Sequence, residues 1–207
     1  MIKQLKLIGL LLLPLTAVAS PLQSLQSLLA PIESLKAEFL QTTFADLGSM
    51  DYSQVEGELV IAKPDLLYWY AALPFEQTLV ADGQYYWVWD KDLEQATKED
   101  LGDRIANSPA GLLTSGPQAI GERFTVRIDD VSGDIESYEL IPHQADQGYE
   151  KVVMTFANEI PKEVEIHDSF GGATMLMLKN VELNGDISPA QFQLELPDDT
   201  DLIDMTR

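Results

Sequence analysis

A long succession of short β-strand patterns, separated by gaps too short for a crossover helix, constrains the fold of this chain most. Many of these segments are joined by hairpin signals, such as "ADGQ" at 81–84, "SGD" at 132–134 and "NGD" at 184–186. Parallel strands need crossover connections of a dozen or more residues, so the spacing predicts an antiparallel sheet. The predicted strands are residues 38–44, 57–62, 66–71, 76–81, 84–90, 93–98, 123–131, 137–142, 150–156, 162–168, 173–183 and 191–196.

Two helical segments accompany the predicted sheet. Leucine and isoleucine recur at three- and four-residue steps from Leu22 to Leu35, which predicts an amphipathic helix capped by Ser20. Pro31 lies inside this pattern and is expected to break or kink the helix. Residues 101–122 predict short helical turns with an apolar patch. Together the patterns favour a strongly curved sheet or barrel, with helices covering one opening, in a single domain.

The first residues are expected to be a targeting segment rather than part of the fold. Lys3 and Lys6 form a positive start, Leu7 to Val18 an apolar stretch, and Ala17 to Ala19 an A-x-A cleavage signal. Residues 1–19 are therefore predicted to be a signal peptide, and residues 20–207 the mature domain. This leader predicts export from the cytoplasm.

The charge and the absence of cysteine exclude several classes of function. The chain carries a net charge of −21, which becomes −23 once the leader with its two lysines is removed. Such a chain repels phosphate backbones, so nucleic acid is not an expected partner. It contains no cysteine, which removes disulfides and thiolate metal sites.

No residue pattern predicts catalysis. The two histidines, His143 and His167, have no neighbour at metal-ligand spacing, and no G-x-S-x-G elbow is present. No catalytic residue, metal ligand or cofactor is therefore predicted.

Two predicted strands are apolar on both faces. They read "LLYWY" at 66–70 and "YYWVWD" at 85–90, and they hold all three tryptophans of the chain. Such strands occur where one face meets a core and the other meets a lid or a ligand. A well-filled core is the alternative, and the pattern favours a cavity only modestly.

Residues 57–98 hold an ordered set of motifs, made up of Gly57, Leu59, the segment Lys63-Pro64-Asp65, Trp69, Pro74, residues 80–83, residues 86–89 and "EQAT" at 94–97. In this set the segment closely resembles the LolA family of periplasmic lipoprotein carriers. The resemblance extends to Phe39 and Gln41, to "NSP" at 107–109 and to "FQLELPDD" near the end, so it spans nearly all of the mature chain.

The resemblance implies a mainly β fold of the LolA and LolB type. This fold is an incomplete, unclosed antiparallel β-barrel with an α-helical lid over a hydrophobic cavity. The implied protein is a monomeric periplasmic carrier and no enzyme, which binds the acyl chains of lipoproteins released by an inner-membrane ABC transporter. It then delivers them to an outer-membrane receptor, LolB where that protein is present.

Strand alternation within this fold predicts the cavity lining. The expected acyl-chain site consists of Leu67, Trp69, Trp87 and Trp89 from the strands, with Leu25, Leu29, Ile32 and Leu112 from the lid. Lys63 stands where the family has an arginine that holds the lid helices shut, so the resemblance makes Lys63 the expected lid latch. Ala110 and Gly111 replace larger apolar residues, which predicts a thinner roof.

Two other functions stay open on the sequence alone. One is a LolA-like carrier of another lipid, and the other is a periplasmic lipoprotein-sensing interaction protein on the same fold. An esterase-like enzyme would need a histidine beside a serine in a pocket, which the pattern does not predict.

Overall fold

Twelve β-strands form one sheet in the computed structural model, which describes residues 19–46, 51–102, 105, 108–114, 116–144 and 148–207. Residues 1–18 of the expected signal peptide and Asn107 of the "NSP" segment lie outside these described residues. The sheet order is β12-β6-β5-β4-β3-β2-β1-β11-β10-β9-β8-β7. The strands are β1 (Ser34–Phe44), β2 (Tyr52–Ala62), β3 (Leu66–Leu73), β4 (Gln77–Asp82), β5 (Tyr85–Asp90), β6 (Gln95–Asp100), β7 (Phe124–Ser132), β8 (Ile135–Pro142), β9 (Tyr149–Ala157), β10 (Ile160–Asp168), β11 (Ala173–Leu183) and β12 (Asp201–Asp204).

The prediction of an antiparallel, unclosed sheet is confirmed for β1 to β11, whose neighbours all run antiparallel. The strand order has two ends, β12 and β7, so the sheet does not close on itself. β12 differs, because it pairs with β6 in the parallel direction.

Within the described residues, three short α-helices accompany the sheet, namely α1 (Pro21–Leu29), α2 (Pro109–Thr114) and α3 (Pro117–Arg123). The side chain of Ser20 caps α1 by accepting from the Gln23 amide, and the Gln23 side chain accepts from the Ser20 amide in return. The helix ends at Leu29, two residues before Pro31, as expected for a residue that cannot continue a helix. The observed helix α1 is therefore shorter than the predicted one, and β1 begins at Ser34.

The C-terminal prediction is wrong in two places. Residues 191–196 form no strand; a 3-10 helix covers Pro189–Phe192, and the strand comes later as β12. The "NGD" segment at 184–186 is not a hairpin, because β11 ends at Leu183 and the chain continues as a loop. The turns at Gly83 and Gly133 are confirmed, and both glycines adopt the positive φ that such turns require.

The main core lies between the concave face of the sheet and the three helices. Leu25 and Leu29 of α1, Leu112 and Leu113 of α2 and Ile120 of α3 are all buried in it. Alternate residues of β1, namely Leu35, Ala37 and Phe39, are buried in the same cluster. The helices therefore occupy the concavity as a lid.

A second apolar layer covers part of the opposite, convex face. Val60, Val80 and Ala96 are buried but do not belong to the main core, and neither does Phe192 of the 3-10 helix. This helix contacts β3 and β4. The C-terminal segment thus crosses the outer face of these strands before β12 pairs with β6. None of the helices within the described residues has the length and apolar character needed to cross a bilayer.

Candidate functional site

A cleft of about 660 Å³ opens at one end of the concave face, where β3 turns into β4 and β5 turns into β6. This volume falls in the range of about 300–1,000 Å³ that is usual for sites that bind small molecules. The mouth is open to solvent, and the walls come from β1 to β5 and the two turns. The cleft is therefore a candidate site for an apolar ligand.

The floor of the cleft is aromatic and continuous with the core. The half-buried ring of Trp69 packs on the buried ring of Phe39, with the ring centroids 3.8 Å apart and the planes tilted by 31°. Val55 and Ala71 flank Trp69 on the same face. Tight contact between rings gives a rigid apolar surface, so an apolar chain that entered the cleft would lie against Trp69.

Exposed apolar side chains stand at the mouth. Phe75 follows β3 and is 70% exposed, and Leu93 lies between β5 and β6 and is 69% exposed. Leu73, next to this mouth, is 61% exposed. A cluster of large exposed apolar residues beside an apolar cleft is typical of a binding surface. These residues were not predicted from the sequence, although a large apolar side chain in a predicted turn is a signal of a binding surface.

Two polar contacts tie the turns of the mouth together. The ammonium of Lys91 donates to both carboxylate oxygens of Glu76, at 2.8 and 2.7 Å. Gln77 Nε2 donates to Asp90 Oδ1 at 2.9 Å. The hydrogen bond from Lys91 lowers the pKa of Glu76 and raises that of Lys91. Burial and the nearby Glu76 carboxylate raise the pKa of Tyr70, so the Tyr70 phenol stays neutral.

Five of the eight residues predicted to line the acyl-chain site come together in the core. Leu67 of β3 is buried together with four residues contributed by the helices and the segment after α1, namely Leu25, Leu29, Ile32 and Leu112. Trp69 packs against this cluster. These residues pack against one another in this closed arrangement. A ligand could therefore reach them only after the helices move aside. Their role in acyl-chain binding stays a prediction.

The expected grouping of all three tryptophans on one face is wrong. Leu67 pairs with Ala81, and Ala81 pairs with Tyr86, so these three side chains share the concave face. Trp87 pairs with Val80 and Trp89 with Thr78, which lie on the convex face. The Trp87 indole donates to Asp82 Oδ2 at 3.1 Å on that face. The aromatic side chain of β5 on the concave face is therefore Tyr86, which packs against the core where Trp87 and Trp89 were expected.

The predicted latch has a different partner from the expected one. Among the described residues, the ammonium of Lys63 contacts Glu33 Oε1, at 3.8 Å, and the Lys63 amide donates to the Glu33 carbonyl at 2.9 Å. Glu33 lies in the short connection between α1 and β1. Lys63 thus reaches the base of the lid through a carboxylate, whereas carbonyls of the lid helices were expected. Its role as a latch stays a prediction.

Asn184 makes an extensive polar connection to the base of α1, which the sequence does not predict. Its side chain donates to the Pro31 carbonyl at 2.7 Å and accepts from the amides of Glu33 and Ser34 at 2.8 and 3.1 Å. Its own amide donates to the Ser34 carbonyl at 2.9 Å. Asn184 has a φ of 57°, a left-handed conformation that asparagine tolerates. The segment after α1 is therefore fixed to the end of β11.

The small residues of α2 have a local cause. A side chain added at Gly111 would bring its Cβ to 1.8 Å from the Ile105 carbonyl oxygen, so only glycine fits there. Ala110, beside it, is buried in the core. The close approach of the preceding turn therefore explains Gly111, and backbone atoms of that turn stand where its side chain would be.

Comparison with known proteins gives one consistent result. The sequence pattern of the family described as "Outer membrane lipoprotein carrier protein LolA" matches residues 30–195. A protein of Chromohalobacter salexigens named outer-membrane lipoprotein carrier protein is 32% identical over 195 residues, covering 93% of this chain and 92% of its own. One of the same name from Hahella chejuensis is 33% identical over 189 residues, covering 90% of each.

The fold also resembles a solved structure. A crystal structure of an uncharacterized conserved protein from Thermus thermophilus superimposes with a TM-score of 0.57, covering 88% of this chain and 99% of that one. The two sequences are 12% identical, so the likeness concerns the fold alone.

Proposed function

This chain belongs to the LolA family of outer-membrane lipoprotein carrier proteins, and from that premise we propose that it carries lipoproteins by enclosing their acyl chains. The proposal includes export by the signal peptide at 1–19 and action of residues 20–207 in the periplasm as a monomeric carrier that catalyses no reaction. An inner-membrane ABC transporter would load it, and an outer-membrane receptor such as LolB would unload it.

The physical need for such a carrier follows from the cost of exposing acyl chains to water. Each buried methylene contributes about 0.8 kcal/mol, so a chain of many methylenes leaves a membrane unaided only very slowly. A protein that shields the chains during transfer removes this barrier. It must also release them, which requires that its net affinity stays moderate.

The observation that carries the proposal is the open cleft over Trp69, continuous with a core that the lid helices complete. Acyl chains would enter along Trp69 and take the place of Leu25 and Leu29 against the sheet. The closed protein already buries these leucines. The free energy gained on binding is therefore only the difference between burying the acyl chains and burying the leucines. This competition keeps binding reversible.

Tryptophan quenching tests the proposal with the chain's own residues. A triacylated lipopeptide with bromine on its acyl chains should quench the fluorescence of residues 20–207. Trp69→Phe should remove most of this quenching, whereas Trp87→Phe and Trp89→Phe should retain it, because those two indoles lie on the convex face. Equal quenching in all three variants, or none in the wild type at saturation, would contradict the proposed site.

Mass spectrometry provides an independent check. The protein should retain a lipoprotein when both are expressed together in the periplasm and purified without detergent. Retention of a different lipid in its place would favour the alternative carrier function.

A further inference from the structure

The most exposed large apolar side chains among the described residues share one end of the sheet. Phe170 is 93% exposed, Phe75 70%, Leu93 69% and Leu73 61%. Phe170 stands in the turn between β10 and β11 and Leu93 in the turn between β5 and β6, while the other two stand at the turn between β3 and β4. The strand pairing brings all three turns to the end where the cleft opens.

The turns at the opposite end of the sheet have a different composition. None of them contains a large apolar residue, and they are residues 63–65, 83–84, 133–134 and 158–159. Val131 and Ile135, which flank one of these turns at the free edge, are the exposed apolar residues nearest to this end. The exposed apolar side chains are therefore concentrated at the end that holds the cleft.

The turn between β10 and β11 holds Phe170 in a fixed outward position. Asp168 Oδ1 accepts from the amides of Phe170 and Gly172, at 2.7 and 2.9 Å. Gly171 supplies the positive φ, 96°, that the turn requires. The turn lies close against β1, since a Cβ on Gly172 would be 2.9 Å from the Phe44 carbonyl oxygen. The Phe170 ring is thus presented to solvent, where it adds nothing to the core.

The surroundings of these side chains favour a lipid bilayer over a protein as the partner. Phe75 is flanked by a proline and a glutamate, Leu93 by an aspartate and a glutamate, and Phe170 by a serine and a glycine. The core of a protein interface is a continuous packed area that is depleted in charge. The boundary between headgroups and acyl chains instead accepts separate apolar side chains, because their polar neighbours stay among the headgroups.

We propose that this end of the sheet docks transiently on a lipid bilayer, with Phe75, Leu93 and Phe170 inserted at the boundary between headgroups and acyl chains. The use of this contact rests on the proposed function, because the docked cleft would open towards the membrane where the acyl chains begin or end their transfer. The contact is weak. One myristoyl chain gives an association constant of about 10⁴ M⁻¹, and three partly inserted side chains bury less apolar surface, so we expect about 10³ M⁻¹.

Cosedimentation of residues 20–207 with phosphatidylcholine vesicles, without cargo, measures the contact. The chain is strongly acidic, so vesicles with about 25% phosphatidylglycerol should bind it less well, most clearly at low salt. Phe170→Ser should lower the association constant about threefold and Phe75→Ser/Phe170→Ser about tenfold, because each ring is only partly removed from water. Phe170 does not line the cleft, so Phe170→Ser should keep the quenching of Trp69 by the brominated lipopeptide.

Val131→Ser/Ile135→Ser is the matched control. It also removes two exposed apolar side chains, but at the opposite end of the sheet, and it should keep the wild-type association constant. Thermal midpoints of all the variants show that each remains folded.

The outcomes separate the inference from the carrier function. Equal falls in the control and in Phe75→Ser/Phe170→Ser, an unchanged constant in both, or no binding of the wild type at about 10 mM lipid would overturn the inference. If lipopeptide still quenches Trp69 in that case, the carrier function stands, and loss of transfer to a receptor protein in the same variant would make this end a protein-docking surface. If the vesicles bind as expected but no lipopeptide quenches Trp69, the contact stands and the carrier function fails.

Discussion

The side-chain amide of Asn184 donates to the carbonyl of Pro31 at 2.7 Å, and so joins the end of β11 to the segment that follows the lid helix α1. The same side chain accepts from the amides of Glu33 and Ser34. One residue, 153 positions along the chain from Pro31, therefore fixes the base of the lid. Any movement of α1 must begin on the helix side of this anchor.

Asn184→Ala should weaken the anchor. We expect the free energy of unfolding to fall by about 1–2 kcal/mol, because three hydrogen bonds to backbone groups are lost at a partly solvated site. Asn184→Asp keeps the acceptor for the two amides and should cost less. Urea unfolding of the three proteins measures this. An alanine variant as stable as the wild type would show that water replaces the anchor.

Gly57→Ala should be strongly destabilising. A Cβ on Gly57 would lie 1.7 Å from the Tyr70 carbonyl oxygen on the neighbouring strand, so the backbone of β2 or β3 would have to move. We expect a loss of more than about 3 kcal/mol, or no soluble protein. Gly185→Ala is the matched control, because a Cβ at that position would meet no other group within 4 Å. Similar thermal midpoints for both variants would contradict the prediction.

Tyr138 should make stability depend on pH in the alkaline range. Burial, together with the neighbouring Glu136 carboxylate, raises the pKa of Tyr138 from 10.0 to about 12, although a hydrogen bond with Ser24 of α1 partly opposes this. A raised pKa in the folded state means that the phenol's contribution is complete below pH 10 and is lost as the pH rises towards about 12.

Tyr138→Phe isolates this contribution. The free energy of unfolding should fall less steeply in the variant than in the wild type between about pH 10 and 12, since all the other tyrosines titrate in both proteins. Chemical denaturation at several pH values measures the difference. Parallel curves for the two proteins would mean that the Tyr138 phenol titrates normally.

Lys63→Leu should affect cargo release more than folding. The Lys63–Glu33 pair is 3.8 Å apart and Glu33 is largely exposed, so we expect stability to change by less than about 1 kcal/mol. Loss of the cation at the base of the lid should disturb lid closure and impair transfer to the outer-membrane receptor, while loading continues.

Two further variants separate the latch from a surface charge. Lys63→Arg should preserve or improve transfer, and Glu33→Gln should impair it if the ion pair is the latch. Transfer in a reconstituted assay with inner-membrane and receptor components is the measurement. Wild-type loading and transfer by Lys63→Leu would show that the latch is elsewhere.

The sequence predicts most elements of this fold because their causes are local. The Ser20 cap, the end of α1 before Pro31 and the glycine turns depend on a few neighbouring residues. The last predicted strand fails for an instructive reason. Phe192, Leu194 and Leu196 alternate with exposed residues, as a strand would, but the segment lies across the sheet without pairing. An extended segment with one buried side gives the same pattern as a paired strand.

The site is less predictable because it depends on how strands are paired. Leu67 and Trp69 are placed correctly on the concave face, yet Trp87 and Trp89 are not, since a one-residue step in pairing exchanges the faces of a strand. The turn at Gly83 pairs Ala81 with Tyr86, and counting from this pair would have given the correct face. The contact of Asn184 with Pro31 joins distant parts of the chain, and no local pattern indicates it.

The two free ends of the sheet, β12 and β7, have a consequence for the size of the cargo. In a closed barrel the number of strands and their stagger determine the radius, so the interior has one capacity. Here no ring of hydrogen bonds among the described residues fixes the curvature. We expect the sheet to widen or narrow by small changes in twist, with every pair of neighbouring strands intact, which would let the proposed carrier fit acyl chains that differ in length and number.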